Sequence, residues 1–220
     1  MIRRPPRSTL DRSSAASDVY KRQEIENIEI IYMCFSFEIS LGTFITSWSI
    51  SLYLLTKKLS TIQKQSVIFL MIFSSIQGLD AILWYNKMKK NAINYIITSF
   101  FIPLFLCAQV YYNIIIRNKF NNLLTMVMLL VLTIYIFIKF NGYSVALCNN
   151  KFSSPIWGNH EIKIVEFVAF AIIIFYPNWK FIFMVCFLLL PILYFYVGGA
   201  YGSLWCAVAN VIAIYYLITY

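Results

Sequence analysis

Charge and histidine are what this chain has least of. Only 12% of its 220 residues are Asp, Glu, Lys or Arg, whereas a soluble globular domain carries about a quarter. So few charges cannot cover the surface of a water-soluble domain this size. The single histidine, His160, excludes an intramembrane hydrolase built on several histidines. The last apolar run, 203–219, holds no lysine and so cannot form the Schiff base of a retinal protein. A Gly-rich phosphate loop and a Gly-x-Ser-x-Gly elbow are both missing, as are a lipobox and a C-terminal prenylation signal. The five cysteines (Cys34, Cys107, Cys148, Cys186 and Cys206) form no C-x-x-C pair and no Cys/His spacing typical of zinc.

Apolar residues are what it has: 60% of the chain, gathered in long blocks. A bilayer core about 30 Å thick takes roughly 20 apolar residues of helix at 1.5 Å each. Backbone groups there have no water to bond, so a span is a helix or part of a closed barrel. Barrel strands alternate in polarity, and these blocks do not. The fold expected is all-α: a polytopic membrane protein, a seven-transmembrane-helix bundle. Its spans fall near 39–56, 66–85, 94–116, 122–139, 162–176, 180–197 and 203–219. Lys163 and Glu166 interrupt the start of the fifth, which makes six spans the alternative. Pro103 and Pro191 mark kinks in the third and sixth. The one long connection, about 140–161, holds Cys148, Pro155, Trp157, Gly158 and His160.

Net charge of +9 points away from nucleic acid once the basic residues are placed. Six of the 18 lie within the first 22 positions, and most others flank apolar blocks, as lysine and arginine commonly do at span ends. The partner expected is the lipid bilayer, with no nucleic acid and with a small molecule or ion as candidate ligand. Let face B be the one from which the first span starts, and face A the other. Loop cations divide almost evenly between the two, so the positive-inside rule gives only a lean from Lys57-Lys58 toward a cytoplasmic face A.

Residues 1–23 are basic and rich in Ser and Arg, unlike the Ile-, Phe- and Tyr-rich remainder, and they resemble translated sequencing adapter. Residues 1–32 are therefore expected to be a non-native or disordered leader, with 33–220 as the transmembrane domain. From Met33 the chain reads Met33-Cys34-Phe35-Ser36 with Glu38 and Ser40 following, while Phe73, Gln77, Asp80 and Trp84 mark its second span and Gly202 to Cys206 read Gly-Ser-Leu-Trp-Cys. In these features it resembles an uncharacterised family of seven-helix integral membrane proteins whose members begin Met-Cys-Phe-Ser. The resemblance implies the fold and no activity; Asp80 stands where that family commonly has Glu.

Candidate chemistry centres on the second span. Ser74, Gln77, Asp80 and Trp84 follow at spacings of three, three and four, which puts them on one helix face. An ionisable group inside a span costs about 2.5–3.5 kcal/mol on insertion scales, so Asp80 is expected to face the interior, protonated or paired. The alternative sets Asp80 near the interface with Trp84 as an aromatic anchor. Gln77, Asp80, Trp84 and Glu38 are the candidate binding residues. Connectivity brings Cys34, His160 and Cys206 to the same face B, where they are candidate metal or redox ligands. Three readings therefore stand: binding or passage of a small molecule or ion, a membrane-embedded metal or redox protein or enzyme, and a structural membrane protein without a site.

Overall fold

A computed structural model describes residues 36–120, 122–149, 152–158, 162–189 and 202–220; for 147–149, 152–154, 188–189 and 202–207 it describes the backbone. All described residues belong to one compact unit, 34–220. The leader expected at 1–32, Cys34 and His160 lie outside the described residues.

The described chain is mostly helical. Helix α1 is Phe37–Leu55, α2 is Thr61–Tyr85, α3 is Ala92–Arg117 and α4 is Leu123–Lys139. After a hairpin come α5, Ile164–Phe175, then α6, Trp179–Phe183, which runs on as a π-helical stretch Met184–Leu189, and α7, Gly202–Thr219. Two of these, α2 and α3, are long and apolar enough to cross a membrane.

The starts of α2, α3 and α4 follow side-chain caps rather than the edge of hydrophobicity. The expected second span began at 66, where polar residues give out. The helix begins five positions earlier because Ser60 and Gln63 form a capping box, each binding the other's backbone N–H. Asn91 and Asn122 cap α3 and α4 by a single bond each, the side-chain oxygen accepting from the N–H three residues on. Within α3, a π-helical turn at Ile97–Phe101 precedes Pro103. A proline ring in a regular helix clashes with the carbonyl four residues back, here that of Ser99, and a wider turn relieves the clash.

The 140–161 connection, expected as loop in an all-α fold, contains a two-stranded antiparallel hairpin. Strand β1, Val145–Asn149, pairs with β2, Phe152–Ile156, in the register Val145 to Ile156 and Asn149 to Phe152. The segment was too short and too polar to register as a span, and five-residue strands leave only a weak pattern. Pro155 is tolerated because a two-stranded sheet has edges only.

A set of polar side chains is buried beside the apolar core, while much of the outer surface is apolar. Ser40, Thr43, Ser47 and Ser51 recur along α1 and all are buried, facing inward with Ser74, Gln77 and Asp80 of α2. Asn210 of α7 donates to Thr43 across 3.0 Å. The outer surfaces are apolar instead: only Leu129 and Ile136 of α4 are buried, while Leu123, Leu124, Met128, Val131 and Ile138 are exposed.

Candidate functional site

The helical spacing in α2 places Ser74, Gln77 and Asp80 in the interior together, as their shared face requires. Asp80 is 1% exposed and Gln77 0%. Trp84, one turn further on, is half-buried, and its ring N–H is buried with no hydrogen-bond partner among the described residues. An indole anchoring a span at the headgroup level would turn its N–H to water, so the interface-anchor alternative for Trp84 does not fit its setting.

The partner of Asp80 comes from outside the membrane-length helices. Trp157, directly after β2, donates its indole N–H to Asp80 Oδ1 at 2.8 Å. Its ring is 3% exposed and meets Phe140 edge-on, with centroids 6.1 Å apart. Gly158 makes this seat possible. Its φ is +74°, a left-handed conformation, and a Cβ there would lie 2.9 Å from Phe140 Cα. Both the dihedral and the space demand glycine. Gly158→Ala is expected to cost about 2 kcal/mol, read as a lower unfolding midpoint in detergent; an unchanged midpoint removes Gly158 from this account.

A second polar cluster holds the start of the long connection on α3. Asn94 Nδ2 donates to the Ser144 carbonyl at 2.9 Å and Asn94 Oδ1 accepts from Ser144 N–H at 2.8 Å. The Thr98 hydroxyl joins both, 3.0 Å from Asn94 Oδ1 and 2.7 Å from the Ser144 hydroxyl. Ser99 and Gly142 add a reciprocal pair of bonds at 3.0 and 2.9 Å. At the other end of α3, Asn113 Nδ2 donates to the carbonyls of Ile173 and Tyr176, closing the end of α5. Gln109, between the two clusters along α3, is 0% exposed, and neither its amide nitrogen nor its oxygen has a partner among the described residues.

Of the residues singled out from sequence, Gln77 and Asp80 share the buried interior and Trp84 borders it. Glu38 does not join them; it is exposed in the first turn of α1. The proposed convergence of Cys34, His160 and Cys206 falls outside the described residues, since Cys206 is described only as backbone in α7. Among the described residues no group of three or more His, Cys, Asp or Glu side chains is placed to hold a metal ion. Sequence reasoning missed Asn94, Gln109 and Asn113. A signal was available: an amide within an apolar run marks a position where polarity is costly and therefore specific, and Asn94–Thr98 and Gln109–Asn113 each sit four apart on one helix face.

No protein-family model, curated protein or solved structure matches the chain.

Proposed function

We propose that the chain is a seven-span integral membrane protein that binds, or passes, a small molecule or ion at a buried polar site centred on Asp80. The observation that carries this reading is the Asp80–Trp157 bond: a fully buried carboxyl group, on a helix long and apolar enough to cross a membrane, held by a side chain from the connection beside it. Support for the multi-pass part is the many large apolar side chains on the outside, together with serines, amides and an acid turned inward beside the apolar core. The resemblance of the stretch from Met33 to a seven-helix family agrees with it. A carboxyl group in such a place recognises a cation or a hydrogen-bond donor, and Gln77 on the same face adds an amide able to donate and accept.

The test is a thermal-shift screen of purified protein in detergent against alkali and alkaline-earth cations and small primary amines. A ligand at a hundredfold excess over its Kd adds about 2.7 kcal/mol of stability. At least one probe is expected to raise the midpoint of the wild type and to leave Asp80→Asn unmoved. No response in the wild type, or an equal response in both, removes Asp80 as a binding residue.

A second reading is favoured by the completeness of the seat around Trp157: the pair is a structural latch that fastens the hairpin segment to the bundle. On that reading Asp80→Asn changes the midpoint itself and no probe shifts it further.

A further inference from the structure

Helices α4 and α5 stand apart along a cavity of about 290 Å³, near the lower end of small-molecule pockets at roughly 300–1,000 Å³. Leu132, Ile136, Ala169 and Ile173 face into it at helical spacing from the two sides, and Leu106 of α3 closes its back. Polar groups are gathered at one end. Glu166, in the first turn of α5, binds Tyr135 and Lys139 from the last turns of α4 and also accepts from its own helix's Lys163 N–H at 2.7 Å. Trp157, the partner of Asp80, lines the cavity as well. From Lys139 to Leu132 is seven residues of helix, so the apolar part extends about 10 Å from this bridge. Val165 and Ala169, which both line the cavity, are exposed, so the cavity is open to the outside of the protein.

We propose that this cavity binds an uncharged single-chain amphipath drawn from the bilayer, its chain between α4 and α5 and a hydroxyl headgroup at the Tyr135–Glu166–Lys139 bridge. The inference rests on the membrane part of the reading above and not on ligand binding at Asp80. Lipid tails are as apolar as leucine, so an apolar wall alone gives no preference over surrounding lipid. Selectivity has to come from shape and headgroup. Lys139 and Glu166 cancel each other's charge at 2.5 Å, so a charged head finds no free counter-ion in the pair to offset the hydration it gives up on entering. A neutral hydroxyl carries no such cost. A carboxylate offers about four acceptor positions; Tyr135, Lys139 and Lys163 take three, which leaves room for one more donor.

The experiment is quenching of tryptophan fluorescence by chain-brominated monoacylglycerol, titrated into purified full-length protein in a neutral detergent. Brominated oleate and brominated phosphatidylcholine serve as comparisons. Saturable quenching is expected, at least tenfold tighter for the monoacylglycerol than for the anion. Ala169→Phe, which fills the cavity, is expected to weaken it at least tenfold. Val131→Phe, on the exposed face of α4, is expected to leave it unchanged. Should Ala169→Phe fail to fold, Ala169→Leu replaces it, with a weakening of about threefold or more. Quenching equal to that by phosphatidylcholine at the same mole fraction, or unaffected by filling at Ala169, overturns the site. Detergent-free protein that is monodisperse in water instead defeats the membrane reading, whatever the titration gives.

Discussion

Trp157→Phe is expected to lower stability by about 3 kcal/mol, because it strips a buried carboxyl group of its hydrogen-bond donor while barely changing the apolar packing. Phenylalanine retains most of the edge contact with Phe140, so the loss isolates the indole N–H. For a chain of this length the unfolding midpoint should fall by roughly 6–12 °C. Asp80→Leu alone orphans only a neutral N–H and should cost less, about 1–2 kcal/mol. Removing both partners together, as Trp157→Phe with Asp80→Leu, should recover much of the loss, since two apolar groups of similar shape leave nothing unsatisfied. The double-mutant cycle therefore has a large coupling energy of defined sign. Additive single effects show that the bond at 2.8 Å does not fasten the segment, and that Asp80 draws its stability from elsewhere.

What could be read from sequence and what could not divide along a physical line. Spacings within one helix were legible: Ser74, Gln77 and Asp80 had to share a face once the segment was helical, and they do. The apolar blocks likewise located α1 to α5 and α7, with α3 expected at 94–116 and found at Ala92–Arg117. Tertiary partners were not legible. Trp157 stands in the long connection and Asp80 in α2, and nothing in the order of residues pairs two positions 77 apart. Ends of helices were missed where a cap extends into polar sequence, as at Ser60. The hairpin was missed because its ten paired residues carry no sustained alternation. Glu38, a candidate beside Asp80 in the sequence, is left exposed by the first turn of α1.

Asn94→Ala should prove nearly as damaging as Trp157→Phe, although Asn94 touches neither Asp80 nor the cavity between α4 and α5. Its side chain is fully buried and holds Ser144 by both backbone groups, at 2.9 and 2.8 Å, while Thr98 leans on the same oxygen. Buried hydrogen bonds of this kind contribute roughly 0.5–1 kcal/mol each. Three of them, together with a Ser144 carbonyl left without this donor, amount to roughly 2–3 kcal/mol. Tyr95→Phe is the matched control: it stands on the adjacent residue, removes a single exposed bond to Asn141, and should change stability by less than about 0.5 kcal/mol. The consequence reaches further than stability. Ser144 immediately precedes β1, and β2 delivers Trp157 to Asp80, so the clamp on α3 and the latch on α2 fasten the two ends of one segment. Freeing the first end should loosen the second before the helices part. Acrylamide quenching of Trp157, obtained as the difference between protein with and without that tryptophan, should rise in Asn94→Ala well below the unfolding midpoint. If the two attachments act independently, the indole stays as protected as in the wild type up to global unfolding, and the segment is not a single mechanical unit.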